Sequence, residues 1–130
     1  DDVRIYQDCD GYVRGYIDLI FQFKERYFIA DWKSNYLADG YSQRALKKSM
    51  DQANYHLQYR IYALALLRWL AKAFGNPSKV VDLFGGVFYF YLRGMGGEDQ
   101  NGVYFVPSSK LGSRDMLEKE LVRNLRRTSN

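Results

Sequence analysis

The sequence predicts an α/β fold, α+β-like in having a mixed sheet flanked by helices, and three observations carry that expectation. Two runs rich in Tyr, Ile, Phe and Val flank the polar turn "KER", and a stretch without Gly or Pro from Ala45 to Phe74 repeats apolar residues at helical spacing. The unbroken apolar run "FGGVFYFYLRG" then follows. The 130 residues suffice for one core, so a single domain over residues 1–130 is expected.

In chain order, "VRIY" is a candidate short strand, and residues 12–23 and 27–33 form a β-hairpin. Closure of that hairpin through Lys24 and Glu25 pairs Phe23 with Arg26 and sets Asp18 directly opposite Asp31. After a polar loop from Ser34 to about Arg44, Met50, Leu57, Ile61 and Leu64 define one face of a single helix over residues 45–74. Gly75 and Pro77 stop it. The "FGGV" run reads as a strand covered on both faces, and "VYFV" as another short strand. Ser113 is the N-cap of a last helix, with Asp115 in its first turn, Leu117, Leu121 and Leu125 on one side, and Arg123, Arg126 and Arg127 near its end. "GMGGEDQNG" lacks a Walker lysine and reads as a flexible turn, so ATP binding is not indicated.

Charge and cysteine content narrow the function classes. Nineteen Lys and Arg against fifteen Asp and Glu, a net charge of +4, permit a polyanionic partner without demanding one. Cys9 is the only cysteine, which excludes an internal disulfide framework and a four-cysteine metal site built from this chain, and fits a reducing cytoplasm. With no His near it, Cys9 offers no nucleophilic catalysis. No apolar run is long enough to span a membrane and the acidic start "DDVRIYQDCD" is no signal peptide, so a soluble cytoplasmic protein is expected.

The informative residues are Asp18 and Asp31, each set in an apolar strand where isoleucine would cost nothing. Opposed residues on paired strands have Cβ atoms roughly 5 Å apart, and like charges there are destabilising unless something positive intervenes. Lys33 falls on the same strand face as Asp31, whereas Trp32 points the other way, into packing. Two readings fit this trio. Converging carboxylates beside an ammonium can hold a hard divalent cation, and buried charge triads also occur without catalysis.

"GYIDLIF", twelve residues between Asp18 and Asp31, then "DWKSN", "LQYRIYALALLRWL" and "FGGVFYFYLRG", resemble the RecB-type nuclease domains of the PD-(D/E)XK superfamily, the C-terminal nuclease part of bacterial RecBCD helicase–nucleases. The likeness runs from about Gly11 to Gly102. D-x-K alone recurs by chance, but its order with G-x-x-D, Q-x-x-x-Y and the late FGGV strand is specific.

The resemblance implies a restriction-endonuclease-like core and magnesium-dependent hydrolysis of DNA phosphodiesters. The activity would be of the exodeoxyribonuclease V type, serving double-strand break repair and degradation of linear DNA. Asp18, Asp31 and the backbone carbonyl of Trp32 would bind Mg2+, with Mn2+ or Ca2+ able to substitute in binding. Lys33 would be the catalytic lysine, and Gln58 and Tyr62 the Q-x-x-x-Y pair on one face of the following helix. Tyr62 also admits plain core packing. Partners would be linear double- and single-stranded DNA and the RecC and RecD subunits, in the bacterial cytoplasm.

One departure qualifies the match. Family members carry a metal-binding His on a helix upstream of the "GYID" strand, and the residues before Asp18 contain no His. His56, the only histidine, reads as an ordinary polar helix residue. A C-terminal fragment of a longer chain, lacking the first helix and by itself weak in magnesium binding and cleavage, is therefore expected. Arg44, Lys47 and Lys48 are candidate DNA contacts, and equally fit a solvated helix end. The alternatives are a non-catalytic module of the same fold that binds DNA or a partner subunit, and another class of PD-(D/E)XK exonuclease.

Overall fold

The computed structural model describes residues 4–6, 17–96 and 101–128. Five strands, β1 (Arg4–Tyr6), β2 (Leu19–Phe23), β3 (Arg26–Lys33), β4 (Phe84–Tyr91) and β5 (Val103–Pro107), form one sheet in the order β1-β2-β3-β4-β5. Only β3 and β4 are parallel, and the other neighbours are antiparallel, so the sheet is mixed. The parallel pair needs a crossover. Helices α1 (Gln43–Gln52), α2 (Tyr55–Phe74) and α3 (Pro77–Leu83) supply it, and α4 (Arg114–Thr128) packs beside α2 and α3.

The hairpin closes as the sequence predicts, with Phe23 paired to Arg26 and Leu19 to Ala30. Lys24 and Glu25 adopt φ of 50° and 66°, the two-residue turn whose twist matches that of the strands. Neither residue favours positive φ. Replacing the pair by Asn-Gly is expected to raise stability by about 1 kcal/mol in urea denaturation, because that pair enters the same turn without strain. Residues 12–16 and Cys9 lie outside the described residues, as does the middle of "GMGGEDQNG", residues 97–100.

The expected single helix over residues 45–74 is two helices. Asn54 adopts φ 54° and ψ 38° and breaks the run, a left-handed conformation that Asn tolerates better than most residues. The break turns α2 so that Leu57 and Ile61, expected on the buried face, are 56% and 54% exposed. Tyr59, Tyr62, Ala63, Leu66, Leu67 and Leu70 are buried instead. Gly75 ends α2 at φ 74°, its N–H bonding the Ala71 carbonyl. Pro77 does more than stop a helix: it occupies the first turn of α3 behind the Asn76 cap, where its missing N–H costs nothing. The Ser113 cap is as expected, its Oγ accepting from Met116 N at 3.2 Å, and Leu117 and Leu121 are buried.

One sheet face carries Ile29, Val87, Tyr89 and Tyr91 into a core shared with Leu46 and Met50 of α1 and Leu66, Leu67 and Leu70 of α2. The other face bears Phe21, Phe28, Phe88, Phe90, Phe105 and Trp32, packed ring against ring. Here two expectations are corrected. The strand β4 is enclosed on one face and only half-buried at Phe88 and Phe90 on the other among the described residues, and Trp32, expected in packing, lies against Phe90 with 44% of its surface exposed.

Candidate functional site

Alternation along β3 sends Asp31 and Lys33 to the helix-covered face while Trp32 goes to the opposite one. The parallel register sets Asp31 beside Tyr89 and Lys33 beside Tyr91. Above them lies the start of α2, where Tyr55, Gln58 and Tyr62 recur at spacings of three and four and share one face. The Lys33 ammonium is the centre of this arrangement. Nζ lies 2.9 Å from Asp31 Oδ1, donates to Gln58 Oε1 at 3.0 Å and sits 3.9 Å from the centre of the Tyr55 ring. Gln58 Oε1 also accepts from the Tyr89 hydroxyl at 3.2 Å. An amide in an apolar helix stretch needs partners, and these are the partners.

Asp31 is 3% exposed, and burial is the main cause that raises its carboxyl above the ordinary 3.8. Lys33 lowers it by hydrogen bonding and charge, Asp18 raises it by repulsion, and a Tyr62 hydrogen bond lowers it. Tyr62 is thus both core and site: it is 8% exposed, and burial with the Asp31 charge pushes its phenol up, which keeps it a neutral donor. Asp18, expected inside the strand beside Asp31, is instead exposed because it falls just before the first paired residue of β2, and its Oδ2 accepts from the Trp32 N–H at 2.8 Å. That bond ties the β2 entrance to the middle of the D-W-K element.

Because the folded chain holds the Asp31 proton more tightly than the unfolded chain, this group favours folding fully below pH 3.8 and loses that contribution as pH rises through its folded value. Asp31→Asn should therefore gain stability relative to the parent between about pH 4 and 7. Urea denaturation at both ends of that range checks the sign. A difference that stays constant or falls would contradict it.

Residues 3–130 match the sequence profile of the PD-(D/E)XK nuclease superfamily. The chain belongs to that superfamily. It is also similar to the RecBCD enzyme subunit RecB of Haemophilus influenzae, 46% identical over 103 residues that cover 77% of this chain and 8% of that protein. The RecB subunit of Escherichia coli K12 is 40% identical over 103 residues, covering 76% and 9%, and that of Mycobacterium tuberculosis 34% over 98 residues, covering 70% and 9%. The chain spans about a tenth of the length of these relatives.

For a PD-(D/E)XK domain the donor set is suited to a divalent cation. Oδ1 of Asp31 is buried and faces the Lys33 ammonium at 2.9 Å. A buried carboxylate with a second carboxylate acting on it suits a hard cation of oxygen preference. Among the described residues no group of three His, Cys, Asp or Glu forms, so these side chains alone would not complete a coordination shell.

The candidate DNA contacts lie apart from this cluster, and so does His56, which is the polar helix residue expected. His56 pairs with Tyr59 and Asp51 on the helix surface. Lys47 and Lys48 are exposed beside Asp51 and Asp39, at 3.2 and 3.4 Å, and Arg44 is exposed on the same helix. Four residues that sequence reasoning passed over join the site: Tyr55, Tyr89, Asn35 and Arg93. Tyr55 stands one helical step before Gln58, the signal that could have found it; Arg93 Nε donates to the Ser34 carbonyl at 2.8 Å, one residue beyond Lys33.

Proposed function

We propose that this PD-(D/E)XK domain is the nuclease part of a RecB-type helicase–nuclease and hydrolyses phosphodiester bonds of linear DNA with magnesium. The observation that carries this reading is the Lys33 ammonium, nearly buried and held by Asp31 and Gln58, with a second carboxylate, Asp18, acting on Asp31. An ion pair kept only for stability gains little over hydrophobic residues of similar volume. A second acid that raises the cost of the first gains still less.

In this reading Asp18 and Asp31, with the Trp32 carbonyl, would hold Mg2+, which when bound would supply positive charge for a phosphate oxygen and acidify a water. Lys33 orients the attacking water or stabilises negative charge as it develops on phosphorus. Gln58 and Tyr89 fix the direction of the ammonium, and Tyr62 fixes the Asp31 carboxylate. Being set before the reaction, these groups need no reorganisation during it.

The relatives' name, RecBCD enzyme subunit RecB, supports RecC and RecD as partner subunits; exodeoxyribonuclease V type cleavage and a role in DNA repair in the bacterial cytoplasm complete the proposal on the strength of the motif resemblance alone. No described helix is long and apolar enough to cross a membrane. The direct test is cleavage of linear DNA by the longest chain carrying this domain, titrated with magnesium. Cleavage that requires the ion, and fails in Asp31→Asn and Lys33→Ala, is expected. Cleavage that survives both substitutions would refute the assignment.

DNA contact by Arg44, Lys47 and Lys48 belongs to the same proposal. Lys47 and Lys48 already face acids, in exposed pairs that are worth little and exchange readily for phosphates. Replacing all three by Ala should weaken binding uniformly across sequences, and should reduce the slope of log affinity against log salt by about 0.7–0.9 for each true contact. An unchanged slope would remove them from the interface.

A further inference from the structure

We propose that Tyr55 is a positioning residue for Lys33, the outer wall of a cage that aims the ammonium at the space beside Asp31. This rests on the reading of Lys33 as the lysine that acts at the phosphate. A lysine side chain has four rotatable bonds and three donors, and at the end of a strand nothing local restricts it. Asp31 and Gln58 restrain Nζ from two directions. Tyr55 closes a third, its ring centre 3.9 Å from Nζ, with the Tyr89 ring at 5.5 Å behind. Cations at such distances are attracted to the negative ring face, and more strongly where water is scarce.

The walls are fastened to one another. The Tyr55 and Tyr89 rings stack at 5.9 Å and 15°, and the Tyr89 hydroxyl bonds the same Gln58 oxygen that receives Lys33. Asn35, two residues beyond Lys33, donates from Nδ2 to the Tyr55 hydroxyl at 3.1 Å. The strand end thus supplies both the ammonium and the tether of the ring above it. Tyr55 is also the first residue of α2, directly after the left-handed Asn54, so the helix break delivers the ring to this place. A tyrosine kept only for packing needs neither a tether from Asn35 nor an ammonium against its face.

The experiment compares Tyr55→Phe, which keeps the ring face, with Tyr55→Leu, which keeps apolar bulk alone. Lys33 reactivity is read without metal or DNA, as the acylation rate of its amine by an N-hydroxysuccinimide ester followed by mass spectrometry. Tyr55→Leu should acylate about 10-fold faster than the parent and Tyr55→Phe within about 3-fold of it, in keeping with the range of cation–π strengths. For magnesium-dependent cleavage, Tyr55→Leu should lose about 10-fold or more in kcat at nearly constant KM, with Tyr55→Phe close to the parent. Should Tyr55→Leu melt below the assay temperature, Tyr55→Met, which also lacks the ring face but follows irregular packing more readily, makes the same comparison. Unchanged Lys33 acylation in the variant overturns the cage, and faster acylation with unchanged kcat overturns the positioning role. Failure of the underlying reading looks different: Lys33→Ala itself then cuts at the parental rate.

Discussion

Lys33→Ala is expected to lose about 10²–10³-fold in magnesium-dependent cleavage while DNA affinity stays within a few-fold of the parent, the size of effect seen when one preorganised charge-stabilising donor is removed. The ammonium is held by Asp31 and Gln58 and shielded by Tyr55, so it arrives at the reaction already oriented. It faces the site rather than the outer surface, with a side chain only 11% exposed, so it adds little to general attraction for the DNA backbone. Folding should survive. Removing Lys33 leaves Asp31 buried without its cation, but the Tyr62 hydrogen bond remains and the already raised carboxyl can take up a proton. Single-turnover cleavage and filter binding on the same preparations separate the two effects. Parental turnover in the variant, or loss of binding equal to the loss of turnover, would show that Lys33 is not the group that acts at the phosphate.

Gly86→Ala is expected to destabilise the domain by about 3 kcal/mol or more, combining backbone strain with a steric clash. The residue has φ +147°, and a Cβ there would stand 2.4 Å from the Val106 carbonyl oxygen, a main-chain atom of the neighbouring strand that cannot swing aside. Gly85 makes the contrast. It is the extra residue where the β3/β4 register passes from Tyr27–Phe84 to Phe28–Gly86, and the three atoms nearest a Cβ there all belong to the Phe28 ring, on the half-open sheet face. Gly85→Ala should therefore cost roughly 1 kcal/mol, since a ring can turn where a backbone cannot. Thermal melting should show Gly86→Ala lower by about 10 °C. Equal melting of Gly86→Ala and the parent would mean that β4 and β5 part more easily than their register implies. The consequence reaches the site, because β4 sets Tyr89 against Asp31 and Gln58 from the same stretch of chain.

The hairpin was legible in the sequence because its information is local. A two-residue turn and strict alternation determine which residues oppose one another, so the register and the shared face of Asp31 and Lys33 followed from counting. The Ser113 cap and the Gly75 stop were legible for the same reason, each being a matter of one or two turns of chain. Gln58 could be singled out as an amide that needed a partner, though counting along α2 could not name Lys33 and Tyr89 as the partners.

Only the tertiary structure decided the rest. Nothing in the stretch from Ala45 to Phe74 forbids one long helix, since Asn is merely a poor helix former. The left-handed turn at Asn54 is settled by how two helices must fold to cover one sheet face, and that turn also chose which side of α2 is buried and brought Tyr55 over Lys33. The apolar run of β4 suggested enclosure on both faces, yet apolar content cannot say what packs against a strand, and the described helices cover one face. Asp18, Asp31 and Lys33 were therefore visible in the sequence as a charged trio. The cage that restrains the ammonium was not, because its walls come from β3, β4 and α2, and only long-range pairing brings those together.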